Sequence, residues 1–169
     1  MDQLTANYLG RAESWLLITI LLYFLMNGAQ IFETAVVVPK WTAHPPASLQ
    51  FLADRHGASL KNFWILLHSV HEITFILAIV FCWKLGAVRN GLLLLFALHF
   101  AVRVWTLAYF APNIIEFQGV AEGTIGASDL IRRANTWKML NYLRVAFFVA
   151  ISLGLIPLYL KLVALKPVF

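Results

Sequence analysis

Four long apolar stretches constrain this chain more than any other feature of its sequence. They cover residues 15–38, 63–83, 91–111 and 139–160. Each is about as long as the ~20 mostly apolar residues that an α-helix needs to cross the hydrocarbon core of a bilayer. Hydrophobic residues make up 61% of the chain and charged residues only 12%, and a water-soluble domain could not hide that much apolar surface. The sequence therefore predicts an all-α, multi-pass membrane protein.

The connections between these stretches predict how the spans are arranged. The short segment 84–90 joins the second and third spans, which therefore form an antiparallel hairpin. The connections 39–62 and 112–138 are long and polar, and both follow odd-numbered spans, so they lie on one side of the membrane, here called the loop side. We predict a single domain, residues 1–169, built as an antiparallel four-helix transmembrane bundle with two long loops on one side.

Proline residues and one polar segment refine the predicted helix ends. Pro39 and Pro112 follow the first and third spans and are expected to end those helices. Pro157 lies in the last turn of the fourth span and is expected to kink it or end it early. Residues 129–138 (DLIRRANTWK) are expected to extend the fourth helix beyond the bilayer.

The positive charge of the chain indicates lipid as its charged partner. The formal net charge is +5, but the basic residues are scattered singly, with the pair Arg132 and Arg133 as the longest basic run. That pattern favours contact with anionic lipid headgroups and argues against a nucleic-acid partner. Lysine and arginine are divided almost evenly between the two sides, while fewer acids lie on the side of the termini, so we favour termini in the cytoplasm.

Every span carries polar or ionisable residues, and charged groups at membrane depth are costly enough to mark a site or an ion pair. In an up-down bundle these residues all fall towards the loop side. Helical spacing places His68 with Glu72, and His99 with Arg103, on single stripes. Four inward polar stripes at one depth predict an intramembrane pocket. Its residues are Asn27, Gln30 and Glu33, then His68, His71 and Glu72, then His99 and Arg103, and finally Trp137, Asn141 and Arg144.

Two other interpretations of this polar cluster stay open. Two acids match two arginines, so the cluster could be a neutral network that only sets helix packing and register. It could also bind a metal, because imidazole nitrogens and carboxylate oxygens suit iron, copper or zinc, and two of the histidines could hold a b-type haem. The candidate metal ligands are Glu33, His68, His71, Glu72 and His99.

Three segments of the chain carry a family resemblance. They are GAQIFETAVVVPKW at 28–41, PNIIE at 112–116 and WKMLNYLR at 137–144. Together with the order of spans and the long-short-long connections, they resemble the anthrone-oxygenase-like family of small four-helix membrane proteins. The matching positions are Glu33, Pro39, Trp41, Pro112, Asn113, Trp137, Asn141 and Arg144. The histidines are not among these matching positions, and we do not align them to the family pattern.

The resemblance implies an oxygenase that converts an anthrone to an anthraquinone with molecular oxygen and without an added cofactor. It gives the polar cluster a chemistry, because a histidine can remove the acidic C–H proton of an anthrone and cationic or amide groups can stabilise the resulting oxyanion. On this hypothesis His71 or His99 is the base, with His68 and Glu72 beside it. The substrate-binding residues are Glu33, Arg103, Asn113, Trp137, Asn141 and Arg144.

Three classes of function are compatible with these residues. The first is a membrane oxidoreductase acting on a small lipophilic substrate, with an anthrone-like aromatic molecule as the candidate, either without a cofactor or with a metal or haem. The second is a module that binds or transports a small hydrophobic molecule or a metal ion, and with four spans it would need a homo-oligomer. The third is a structural membrane subunit in which the polar cluster serves only helix packing.

Overall fold

The computed structural model describes residues 3–52, 60–120 and 127–165, and every regular element in these ranges is helical. The α-helices are α1 (Gln3–Phe32), α2 (Val38–Thr42), α3 (Leu60–Phe81), α4 (Gly86–Trp105), α5 (Ala111–Gln118) and α6 (Ala127–Val163). A 3-10 helix covers Ala47–Leu52. The predicted all-α fold is confirmed.

Within the described residues, four helical stretches are long and apolar enough to cross a membrane, as predicted. They run over Ala6–Thr42, Leu60–Phe81, Gly86–Gln118 and Ser128–Val163. Three of them are much longer than the ~20 residues that a bilayer requires. These helices therefore continue well past the apolar stretches from which they were predicted. The predicted extension of the fourth helix over residues 129–138 is confirmed as helix, since α6 begins at Ala127.

The expectation that Pro39 and Pro112 end their helices is wrong. Before each proline the chain forms a π-helical turn, Glu33–Val37 and Thr106–Phe110, and the helix then continues. The N–H of Val38 donates to the carbonyl of Glu33, and that of Ala111 donates to Thr106. These bonds span five residues instead of four. The wider turn accommodates a residue that has no N–H and whose ring would clash with the carbonyl four residues earlier.

Pro157 also lies inside a helix, because α6 continues to Val163. An early end at Pro157 was one of two predicted outcomes, and it is wrong. Apolar helices tolerate proline where neighbouring groups satisfy the carbonyl that loses its partner.

The chain divides into two compact units, each with its own internal packing. The first comprises Met1–Asn27, Lys61–Phe100 and Phe148–Phe169, and the second comprises Gly28–Leu60 and Ala101–Phe147. No observation tests the single-domain prediction, which stays a prediction.

Polar contacts and small residues join the helices of the first unit. The Thr19 hydroxyl on α1 donates to the carbonyl of Thr74 on α3 over 2.9 Å. The Asn27 amide on α1 donates to the Ser152 hydroxyl on α6 over 2.8 Å. Helices α4 and α6 approach closely where Gly91 faces a leucine of α6. Such hydrogen bonds and small residues are the usual means by which helices associate in lipid.

A core rich in aromatic residues holds the second unit together. Trp41 of α2 lies at its centre, with its ring 4.9 Å from that of Trp137 on α6 and 5.7 Å from that of Phe117 on α5. The buried members are Val38, Trp41, Leu49, Phe110, Phe117, Leu130, Ala134 and Trp137. The segments that the sequence assigned to long polar loops therefore contribute helices and core residues to this unit.

Candidate functional site

The first unit contains a buried group that we call the histidine cluster: Tyr23 on α1, His71 on α3 and His99 on α4. All three side chains are 0% exposed. The Tyr23 hydroxyl and His99 Nδ1 are hydrogen-bonded over 2.8 Å. The ring centroids of Tyr23 and His71 are 4.3 Å apart, and those of the two histidines are 5.0 Å apart. Three helices thus bring two imidazoles and a phenol into direct contact.

Aromatic side chains enclose the histidine cluster. Phe148 of α6 lies 5.5 Å from His99, and Phe75 of α3 lies 5.8 Å from His71, between ring centroids. Phe96, one turn before His99 on α4, stacks against it at 6.4 Å. This apolar shell lowers the local dielectric, which strengthens hydrogen bonds and charge interactions inside it.

The Tyr23–His99 contact decides which nitrogen of His99 can act as a base. When Nδ1 carries the proton and donates to the phenol oxygen, Nε2 keeps its lone pair and can accept a proton. In the opposite tautomer the phenol donates to Nδ1, and Nε2 is then a proton donor. The pair can therefore present either a proton acceptor or a hydrogen-bond donor at Nε2, with Tyr23 holding the ring in orientation.

The other two predicted catalytic residues lie on α3 beside the cluster. His68 is 7% exposed, and its ring lies 5.6 Å from Trp64 and 6.3 Å from Phe148. Glu72 follows His71 directly and is half-buried. His68 is thus part of the same aromatic surroundings, while Glu72 is on the more accessible side of its helix.

The second unit contains a different polar group, here called the arginine cluster: Thr34, Asn141 and Arg144. The Asn141 amide donates to the Thr34 hydroxyl over 2.9 Å, and its carbonyl oxygen accepts a bond from Arg144 over 2.5 Å. Arg144 also lies over the ring of Phe110, 4.3 Å from its centroid. Both ends of the Asn141 amide are thereby engaged, so this chain of donors and acceptors is rigid.

Two predicted site residues of the second unit act on Arg144 through their charge. Glu33 stabilises the guanidinium and Arg103 opposes it. Both side chains are half-buried. Glu33 and Arg103 thus place charges of opposite sign near Arg144.

Trp137 and Asn113 have structural partners in the second unit. The Trp137 indole N–H donates to the carbonyl of Phe110 over 3.3 Å, and its ring packs in the aromatic core. The Asn113 amide donates to the carbonyl of Tyr109 over 2.7 Å, and its oxygen accepts from Arg133 over 3.3 Å. Trp137 therefore has the contacts of a helix-packing residue, and Asn113 satisfies a backbone carbonyl within a continuous helical stretch.

An open groove of about 380 Å³ lies on the surface of the second unit. Its lining is mainly apolar and includes Thr34, which connects it to the arginine cluster. The lining residues are Ile31, Thr34, Ala35, Pro39, Tyr142 and Val145. The groove follows the π-helical turn at Glu33–Val37, and such turns frequently occur at functional positions.

The donor geometry of the described residues does not fit the bound metal or haem that the sequence left open as an alternative. In residues 3–52, 60–120 and 127–165, no three His, Cys, Asp or Glu side chains converge in a way that could hold a metal ion. A haem held by two histidines needs the porphyrin between the imidazoles, whereas the rings of His71 and His99 lie in contact. We therefore derive no chemical step through a metal or haem.

The structure distributes the predicted site residues over both units. It brings His68, His71 and His99 together in the first unit, and Glu33, Arg103, Asn141 and Arg144 together in the second. One pocket drawing on all four polar stripes stays a prediction.

Sequence reasoning missed Tyr23 and Thr34. Tyr23 precedes Asn27 by four residues and so shares its helical stripe, which was a signal available in the sequence. Thr34 directly follows Glu33 and carried no comparable signal.

No family model, curated protein or solved structure matches this chain. The resemblance to the anthrone-oxygenase-like family therefore stays a prediction from the sequence.

Proposed function

We propose that this chain is a membrane-embedded oxidoreductase that removes a proton from a small lipophilic substrate. The resulting carbanion adds molecular oxygen, and the hydroperoxide that forms loses water to give the ketone. The observation that carries the proposal is the fully buried Tyr23–His99 hydrogen bond beside His71. A hydrogen-bonded imidazole inside an apolar shell is an arrangement well suited to general base chemistry.

In this proposal His99 is the base. Its Nδ1–H donates to Tyr23, and its Nε2 accepts the proton from the acidic C–H of the substrate. The protonated imidazole then donates from both nitrogens, so the Tyr23 oxygen stabilises the charge that forms. His71 lies in ring contact with both partners and holds them in place. Tyr23 is thus a positioning residue, and His99 is the catalytic residue.

The surroundings of the cluster support a lipophilic substrate. Phe75, Phe96 and Phe148 make the immediate surroundings of His99 aromatic and apolar, which suits a lipophilic substrate better than a polar one. The segments carrying these residues belong to helices long and apolar enough to cross a bilayer, where lipophilic molecules concentrate. An anthrone is the test substrate because the family resemblance names that class.

The test measures oxygen uptake and anthraquinone formation by the detergent-purified protein with anthrone, above the rate in detergent alone. We expect His99→Gln to lower turnover by at least about 100-fold, the usual contribution of a general base. Tyr23→Phe should lower it less, by about tenfold, because the base remains but loses its orienting partner. Deuterium at the reacting carbon of the substrate should lower the turnover rate of the unmodified protein.

A matched control is His44→Gln, which changes an exposed histidine and should leave turnover unchanged. The folded fraction of every variant is checked by gel filtration. Full activity in a folded protein lacking both His71 and His99 would contradict the proposal, as would a rate equal to that of detergent alone in the unmodified protein.

One group of contacts favours a structural alternative for the other polar residues of the first unit. Thr19 and Asn27 use their side chains to bond neighbouring helices, as polar residues between membrane helices often do. If the histidine cluster had only this role, Tyr23→Phe and His99→Gln would change stability and leave no catalytic signature.

A further inference from the structure

A second groove lies at one end of the first unit, between the start of α1 and the end of α3, and has a volume of about 330 Å³. Its lining residues are Asn7, Tyr8, Arg11, Val80 and Phe81. The polar members come from α1 and the apolar ones from α3, so the groove has two chemically distinct walls. The proposed oxidation does not use it.

The polar wall presents cationic groups and hydrogen-bond donors. Arg11 is exposed, and its guanidinium has five N–H donors. The Tyr8 oxygen accepts the backbone N–H of Lys84 over 3.1 Å, which leaves the phenol's own proton able to donate. The Lys84 ammonium lies over the Tyr8 ring, 5.7 Å from its centroid. Arg11 and the Tyr8 hydroxyl thus line the groove, and the Lys84 ammonium lies beside Tyr8.

The apolar wall lies at the end of a helix that is long and apolar enough to cross a membrane. Val80 is 57% exposed, and Phe81 is the last residue of that helix. Trp83 follows it, is 54% exposed and lies 5.2 Å under the guanidinium of Arg89. Tryptophan and basic residues gather at the membrane–water interface. The groove therefore lies where headgroups meet acyl chains.

Charge balance at this end of the unit favours an anion. The cations are Arg11, Lys84, Arg89 and Lys161, and in the described part of this end Glu13 is the one carboxylate. Glu13 accepts a hydrogen bond from Tyr159 over 3.2 Å, so part of the hydrogen-bonding capacity of this carboxylate is already used. Among the described residues at this end, a phosphate diester in the groove would therefore meet more cations than carboxylates.

We propose that this groove binds one anionic phospholipid. Its phosphate is held by Arg11, Lys84 and the Tyr8 hydroxyl, and its acyl chain lies along Val80 and Phe81. Each cation contributes about 1 kcal/mol to binding an anionic lipid near a membrane surface, which corresponds to about a fivefold change in affinity per charge.

Native mass spectrometry of the full chain released from detergent tests the proposal. The probes are phosphatidylglycerol, phosphatidylcholine and glycerol phosphate. We expect one phosphatidylglycerol per chain to bind more tightly than phosphatidylcholine. Arg11→Gln should weaken that binding about fivefold. Lys161→Gln removes the same charge at the same end of the unit but outside the groove, and should leave binding unchanged.

Three results would overturn the proposal. Equal weakening by Arg11→Gln and Lys161→Gln would indicate diffuse attraction instead of a site. If phosphatidylcholine bound as tightly as phosphatidylglycerol, the net charge of the lipid headgroup would play no role in binding. Displacement of the lipid by glycerol phosphate at millimolar concentration would show that the site recognises a soluble phosphate and that the apolar wall contributes nothing. Val80→Ser, which keeps every charge, should weaken lipid binding and not glycerol phosphate binding.

Discussion

Arg144 shows how a residue in an apolar helix can keep its charge. It is 9% exposed, donates to the Asn141 oxygen and lies over the Phe110 ring in the second unit. The hydrogen bond satisfies part of its donor capacity. The quadrupole of the ring attracts the cation, and this attraction is stronger where the guanidinium is poorly solvated. Glu33 adds a favourable charge interaction. Removing the guanidinium leaves the Asn141 oxygen and the Glu33 carboxylate without this cation.

We therefore expect Arg144→Met to lower the free energy of unfolding by about 2–4 kcal/mol, from the lost charged hydrogen bond and the lost cation–π contact. The measurement is denaturation in mixed detergent micelles followed by circular dichroism. Arg132→Met is the control, because the Arg132 side chain is 74% exposed in its pair with Asp129 and should change stability by less than about 1 kcal/mol. Equal losses in the two variants would contradict this account of Arg144.

At the scale of elements, helices α4 and α6 of the first unit meet through glycine. A Cβ at Gly91 would lie 2.6 Å from Cδ2 of Leu158, and one at Gly154 would lie 3.0 Å from Cδ2 of Leu95. Each helix thus offers a glycine to a leucine of the other. In lipid, where no hydrophobic effect drives helices together, this close approach supplies much of the packing energy.

Gly91→Leu should consequently lower the free energy of unfolding by about 1–3 kcal/mol, the usual effect of overfilling a packed contact. Gly10→Leu is the matched control, since a Cβ there has no neighbour within 4 Å and should cause no comparable loss. Thermal unfolding in detergent compares the two variants. A Gly91→Leu protein as stable as the Gly10→Leu protein would show that α4 and α6 can separate without penalty.

The π-helical turns are the elements that sequence reasoning could not anticipate. Proline predicts an interrupted helix because it lacks a donor and crowds the preceding turn. Whether the chain then breaks or widens into a π turn depends on what the following residues can bury. Here Trp41 after Pro39, and Phe117 after Pro112, are buried in the core of the second unit, and that packing favours continued helix.

At the scale of the whole molecule, four spans make a prediction about topology. An even number of crossings places both termini on one side, and the connections after the first and third spans on the other. In a Cys82→Ser background, Ala47→Cys and Gly119→Cys should react with an impermeant maleimide from one face of sealed vesicles. Gly86→Cys should react from the opposite face. All three positions are exposed, so labelling of all three from one face would contradict four crossings.

The sequence by itself determined the number of membrane-crossing helices and their approximate positions. Those follow from local composition, because a segment that passes through lipid must be apolar along its whole length and must satisfy its own backbone. It also determined which residues are polar at membrane depth. The rarity of ionisable residues in such segments singled out His71, His99 and Arg144, and the family resemblance added the hypothesis that they act as a base and a charge-stabilising group.

Only the tertiary structure decided which of these residues touch. The Tyr23–His99 bond and the Asn141–Thr34 bond depend on how far each helix is rotated about its axis and shifted along it. Helical periodicity specifies a stripe on each helix but not the partner that it faces. That partner is selected by the packing of apolar side chains such as Phe148 and Phe110. No sequence motif predicted the positions of these side chains.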